Sequence, residues 1–154
     1  MIDSFEIRDA TEEDLPVLLQ FEQGVIDAER PFDATIRPDH VHYYDLRELL
    51  SSDQARVVVA VTGDKIVSSG FAMIKTARPY LDHDTYAYLG FMYTDPGYRG
   101  LGLNAKIIDA LRAWANAKGQ REIRLTVYDR NDPAIRAYEK YGFKKHIIEM
   151  RLPG

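Results

Sequence analysis

Asp95-Pro96-Gly97-Tyr98-Arg99-Gly100-Leu101-Gly102-Leu103-Asn104-Ala105 is the stretch on which the reading of this chain turns. Ahead of it, Tyr86 to Thr94 is strand-like; behind it, Leu103 to Lys118 has the pattern of an amphipathic helix. A strand, a glycine-rich loop and a helix start together make a cradle for an anion. Glycines let the backbone come close to a ligand, and a helix N-terminus offers unpaired N–H groups and the positive end of its dipole. The ligand implied carries phosphate. Taken alone, the loop reads equally well as a turn capping a helix beside a solvated arginine, because short motifs recur by chance.

The composition bounds the choices. With 154 residues there is room for one domain with a sizeable core and not for two. Apolar residues make up 45% and charged residues 29%, as in an ordinary globular protein. A net charge of −4 argues against duplex nucleic acid, where a basic footprint is expected, and leans towards small or cationic partners. There is no cysteine, which excludes disulfides, thiolate zinc sites and a cysteine nucleophile. No apolar run approaches the roughly 18 residues of a membrane helix, so no membrane partner is expected. Met1-Ile2-Asp3-Ser4-Phe5-Glu6 lacks a signal-peptide profile, giving a cytoplasmic expectation.

Along the chain, Ser4 to Asp9 alternates as a first strand. Thr11-Glu12-Glu13-Asp14 supplies a helix start with acids in its first turn, and Leu15, Leu18, Leu19 and Phe21 or Glu22 follow at near-helical spacing. Pro16 is tolerated only in a first turn, so the helix can begin as late as Asp14. Asp27 to Pro38 reads as a loop and Asp39 to Leu50 as a second helix. Ala55 to Val61 and Ile66 to Ile74 form a hairpin about Thr62-Gly63-Asp64-Lys65, with Gly70 marking a bulge or a close backbone approach. Gly119 caps the helix after the loop. Ile123, Leu125 and Val127 make a fifth strand. Asp132-Pro133 opens a short helix that stops at Gly142, and Phe143 to Leu152 closes as a last strand.

Two segments together resemble the GNAT superfamily of acyl-CoA-dependent N-acetyltransferases. One is Arg99-Gly100-Leu101-Gly102 in its strand–loop–helix setting; the other is Asn131-Asp132-Pro133-Ala134 followed by Tyr138-Glu139-Lys140-Tyr141-Gly142-Phe143. The family loop runs Arg/Gln-x-x-Gly-x-Gly/Ala. Arg99, Gly102 and Asn104 fall on those positions, so Asn104 replaces the last small residue. The resemblance extends over nearly the whole chain and is weakest between Phe21 and Ser52, where such proteins build their acceptor pockets. It implies one α/β domain spanning 1–154, with a mixed, mostly antiparallel central sheet of six to seven strands flanked by about four helices.

It also implies roles. The backbone of Arg99, Gly100, Leu101, Gly102, Leu103, Asn104 and Ala105 would hold the pyrophosphate of acetyl-CoA, with the Arg99 guanidinium on its oxygens. Met92, Tyr93 and Thr94 would pair with the pantetheine arm as an added strand. Asn131 would contact that arm or the loop beside it; otherwise it is a helix-entry cap, a task Asp132 can also perform. Tyr138 would protonate the departing CoA thiolate, a phenol near pKa 10 donating to a thiolate whose conjugate acid lies near 8.5. Its plain alternative is a core tyrosine packed on Ile135. Lys140, Lys144 and Lys145 would be solvated surface or meet the 3′-phosphate of CoA.

An amine acceptor arrives protonated. Freeing it at neutral pH costs roughly 4 kcal/mol for about three pH units. Tyr86 stands where related proteins often carry a glutamate for this task; Tyr88, His83, Asp84 and Glu29 are further candidates, each with an ordinary structural role open to it. His40 and His42, two apart, point to different faces of a helix, so no metal is expected. Tyr43-Tyr44 beside Glu29-Arg30-Pro31-Phe32-Asp33 would line an acceptor pocket. The expected activity is acetyl transfer to a small-molecule or peptide amine by direct attack. The alternative is an acyl-CoA-binding sensor that keeps the cradle without turnover. Dinucleotide or nucleoside-triphosphate binding is disfavoured, since neither Gly-x-Gly-x-x-Gly nor Gly-Lys-Ser/Thr is present. The acceptor stays open, and a homodimer is admitted by resemblance only.

Overall fold

The computed structural model describes residues 4–153; the outermost residues of the expected 1–154 domain, 1–3 and 154, lie outside the described residues. Four antiparallel strands run as a meander: β1 (Glu6–Asp9), β2 (Ala55–Thr62), β3 (Lys65–Thr76) and β4 (Thr85–Thr94). A short β5 (Ile123–Arg124) then pairs parallel to β4, giving the order β1-β2-β3-β4-β5. The helices are α1 (Leu15–Glu29), α2 (Leu46–Ser51), α3 (Leu103–Ala117) and α4 (Asp132–Tyr141).

β2 shows why the sheet is covered on both faces. Its run Val57-Val58-Val59-Ala60-Val61 has no polar member, and side chains alternate across a strand. Val57, Val59 and Val61 join Leu18, Phe21 and Val25 of α1 and Leu46 of α2 in one core. Val58 and Ala60 join Leu103, Ile107, Ile108 and Leu111 of α3 in the other. In α3 the buried positions 103, 107, 108, 111 and 115 form one helical stripe, so the helix beginning at the glycine loop is fixed to the sheet by its own apolar face. Among the described residues no helix is long and apolar enough to cross a membrane.

Several sequence expectations need correcting. The described sheet has five strands, fewer than the six to seven expected. Phe143 to Leu152 forms no strand: the β4–β5 ladder is only Ala87↔Ile123 and Tyr88↔Arg124, and an extended segment becomes a strand only with a partner. Ile147, Ile148, Met150 and Leu152 are accordingly exposed, and Arg151 anchors the segment on Asp33 at 3.0 Å. The second helix is also shorter than expected. It starts at Leu46, where Asp45 accepts the Glu48 N–H at 3.1 Å as its cap, so 39–45 is irregular. Without a helix there, His40 and His42 do not diverge; their rings meet edge to face with centroids 4.9 Å apart. Asn131, not Asp132, caps α4, accepting the Ala134 N–H at 3.4 Å.

Gly70 makes the close approach its position suggested. A Cβ there would lie 2.6 Å from Ile107 Cγ2 and 2.8 Å from Met92 Sδ. The bulge itself falls opposite, on β4, where the register skips between Ser69↔Tyr93 and Phe71↔Gly90. Phe91 takes up the extra residue with φ 61°, the one non-glycine among the described residues in the left-handed region.

Candidate active site

Past Arg124 the parallel strands part, and a crevice of about 210 Å³ opens between them at their C-terminal ends. That is where ligands settle in open sheets with parallel strands. Val25, Ala28 and Glu29 line it from α1; Met92, Tyr93 and Thr94 from the end of β4; Arg99 from the glycine loop. Thr126 and Val127 line it from beyond β5, and Asn131, Ala134 and Tyr138 from α4. A larger cavity of about 340 Å³ lies elsewhere, among α2, β2 and the end of α3, and includes no residue of the glycine loop.

Each wall is held in place by specific contacts. Asp95 turns the chain out of β4: its N–H donates to Val67 O at 2.8 Å and its carboxylate accepts the Gly97 N–H at 2.9 Å. Gly100 and Gly102 then adopt φ of 79° and 78°, where side chains are disfavoured. Gly102 is the N-cap of α3 and has no side chain with which to close the first turn. The first-turn N–H groups of α3 are therefore left to meet an anion. Arg99 bends across the loop, its Nε donating to Thr94 O at 3.2 Å.

On the opposite wall, Glu22 is fully buried within α1's apolar stripe. It accepts the N–H groups of Tyr43 and Tyr44 at 3.0 and 2.9 Å and contacts His42 Nδ1 at 2.7 Å. One carboxylate thus fixes the whole 42–44 segment beside the crevice. Tyr44 lies against Phe71 and Phe91.

Of the expected site residues, Met92, Tyr93, Thr94, Arg99, Asn131 and Tyr138 converge on the crevice. Leu103 is buried in the α3 core, and neither it nor Gly100, Leu101, Gly102, Asn104 or Ala105 lines the crevice. Tyr86 does not line the crevice: it pairs with Lys75 in the β3–β4 ladder, and the Arg124 guanidinium covers its ring at 3.9 Å. His83 sits in a charge cluster with Asp82 (2.8 Å) and Glu122 (3.0 Å), outside the crevice lining, and the crevice does not include Asp84. Tyr88 reaches the rim, its hydroxyl 2.8 Å from that of Thr126. Glu29 is the candidate base that lines the crevice. Sequence reading missed Thr126 and Val127, though the expected fifth strand ran through them. It also missed Phe91; nothing in an aromatic-rich strand announces a left-handed residue.

The electrostatics follow from burial. Tyr138 is pushed up to about 12, first by burial and then by the charge of Glu29. Burial also raises the carboxyl of Glu29, while a hydrogen bond from Tyr43 opposes the rise. Tyr43 and Tyr44 are raised as well, burial again leading. The phenols around the crevice are therefore neutral at physiological pH. Just outside, Thr35 leads in holding the Asp33 carboxyl well below the usual carboxylate range, with Arg151 adding to it.

Comparison with known proteins agrees with the fold and the motifs. Residues 22–143 match the model of the Acetyltransferase (GNAT) family, and the chain belongs to that family. Aminoglycoside N(6')-acetyltransferase type 1 of Salmonella typhimurium is 25% identical over 111 residues, covering 70% of this chain and 75% of the relative. A crystal structure of a mutant BH1408 protein from Bacillus halodurans superposes with TM-score 0.86 at 23% identity, over 96% of this chain and 98% of the other. A predicted acetyltransferase with acetyl-CoA from Clostridium acetobutylicum follows at TM-score 0.76 and 20% identity, covering 97% and 96%.

Proposed function

We propose that this protein is an N-acetyltransferase that moves the acetyl group of acetyl-CoA to a primary amine by direct attack in a ternary complex. The supporting observation is the crevice itself. Arg99 of the glycine loop, a strand end freed from its neighbour and the half-buried phenol of Tyr138 all border one space. The residues present suit acetyl-CoA: the Gly100–Ala105 backbone and Arg99 for the pyrophosphate, Met92 to Thr94 for the pantetheine, and Asn131 beside the arm while capping α4. With no cysteine in the chain, no thiol is available to carry the acetyl group.

Tyr138 serves as the acid for the leaving sulfur. A full proton transfer ahead of C–S cleavage would climb roughly 3.5 pH units, about 5 kcal/mol, from a phenol near 12 to a thiolate near 8.5. The phenol therefore hydrogen-bonds to the sulfur as charge develops, and the proton crosses as the bond breaks. The acceptor proposed is a small amine, in keeping with the aminoglycoside relative.

The test is thiol release from acetyl-CoA with a panel of kanamycin, spermidine, ethylamine and a lysine-containing peptide, alongside calorimetric binding of acetyl-CoA. Amine-dependent release supports the enzyme. Binding without release would make the protein an acyl-CoA sensor, and no binding would remove acetyl-CoA from the account.

A further inference from the structure

We infer that Glu29 is the base of the reaction, receiving the acceptor's ammonium group and taking its proton before attack; this rests on the acetyl transfer proposed above. Among the residues lining the crevice Glu29 is the single carboxylate. It enters from the last turn of α1, whereas Tyr138 enters from α4, so proposed base and acid reach the same space from different elements. Their proximity is felt electrically, because the charge of Glu29 raises the phenol of Tyr138.

The charges around Glu29 favour a cationic visitor. Tyr43 and Tyr44 from the segment before α2, Tyr128 beyond β5 and Tyr138 of α4 face it as neutral phenols. Tyr93 of β4 adds another phenol to the lining. Arg99 is the one cation among the crevice residues, and its Nε is occupied by Thr94 O. Arg30, next along the chain, turns to the carbonyls of Arg37 and Asp39 and faces Asp27. Among the described residues Glu29 forms no ion pair, so an incoming ammonium supplies a partner of opposite charge. Burial holds the carboxyl above the value of a solvated glutamate, which brings it nearer to the amine it must deprotonate.

The protons balance. The acceptor enters as R–NH3+ and gives one proton to the Glu29 carboxylate. The neutral nitrogen attacks the thioester carbon; the N–C bond forms, the C–S bond breaks, and the electron pair leaves on sulfur. Sulfur takes the Tyr138 proton, and the phenolate takes the second proton from the new amide nitrogen. Glu29 releases its proton to solvent when product leaves.

The experiment compares the wild-type protein, E29Q and E29D with the best acceptor of the panel across pH 5.5–9.5, with acetyl-CoA affinity measured in parallel. E29Q is expected to lose about 10²- to 10³-fold in kcat/KM at pH 7. That loss should shrink tenfold per pH unit towards the amine's own pKa, as solution supplies the free base. E29D should recover part of the rate, and acetyl-CoA affinity should stay within about threefold. An E29Q rate and pH profile equal to wild type would overturn Glu29 as base while leaving acetyl transfer standing. Should E29Q lose acetyl-CoA binding, the E29D and wild-type profiles decide: an acid limb shifted in E29D supports the assignment, and identical profiles overturn it. A wild-type protein that releases no thiol with any amine sinks acetyl transfer and this inference together.

Discussion

The hydroxyl of Tyr44 accepts the backbone N–H of Phe91 at 3.3 Å. This bond ties the segment before α2 to the strained bulge residue of β4. Ser69 grips the same residue from β3, its hydroxyl donating to Phe91 O at 3.1 Å. Tyr44 is itself placed by buried Glu22, so a carboxylate on α1 reaches the strand that floors the crevice through one side chain. A left-handed phenylalanine costs on the order of 1–3 kcal/mol and persists only where its surroundings over-determine it.

Tyr44→Phe keeps the ring packing and removes the acceptor from a buried N–H. We expect a loss of about 1–2 kcal/mol in urea denaturation, with weaker acetyl-CoA binding because the strand end is freed. A variant as stable as wild type would mean the bulge does not depend on this hydroxyl.

Gly102→Ala tests the cradle. A Cβ there meets nothing within 4 Å, so crowding is not the issue, but φ of 78° is strained for alanine by roughly 1–2 kcal/mol. Relief requires the loop to turn, which moves the first N–H groups of α3. Acetyl-CoA affinity should fall at least tenfold by calorimetry while the far-ultraviolet spectrum is unchanged. Retained affinity would argue that the pyrophosphate lies elsewhere.

Tyr138→Phe should lower kcat by about 10²-fold and change acetyl-CoA affinity by less than threefold. The ring's edge contact with Phe143, centroids 5.8 Å apart, survives the substitution, so the fold is preserved. Unchanged turnover would take the phenol out of the mechanism.

Arg8 and Asp14 set an acid limit on stability. Arg8 donates to both carboxylate oxygens at 2.8 and 3.1 Å, and the Thr11 N–H adds a third bond at 2.8 Å. The Arg8 hydrogen bonds lead in lowering the Asp14 pKa. A lowered folded-state pKa gives stability that is complete above the unfolded value, about 3.9, and is lost as pH falls through the folded value. The stability gap between wild type and Asp14→Asn should therefore be level from pH 5 to 8 and close below about pH 4. A gap that widens in acid would refute the assignment.

Local rules carried much of the fold. The α3 stripe, the Thr62-Gly63-Asp64-Lys65 turn and the glycine loop are written in short-range patterns, and the structure places them within a residue or two of expectation. Long-range facts were not legible. Residues 143–152 alternate like a strand, but whether a ladder exists depends on β5 continuing past Arg124, which no local pattern reports. Asp39 to Leu50 has helical spacing, yet Glu22 draws the Tyr43 and Tyr44 N–H groups away from any helix. Arg99, Asn131 and Tyr138, which line the crevice, stand in motifs legible in the sequence. Glu29 had no motif, and its standing among the candidates rests on α1 continuing past Asp27 to bring its last residue to the crevice.

Gly24 lies in the interior of α1. A Cβ there would sit 2.5 Å from Tyr93 Cε1, and Tyr93 lines the crevice. The spacing of helix and strand is thus gauged by a hydrogen atom, and one methyl would displace the aromatic ring that lines the crevice. Enlarging or reshaping the binding chamber by substitution along α1 therefore has to begin from the side of Ala28 and Glu29, since the turn below is already closed to anything bigger.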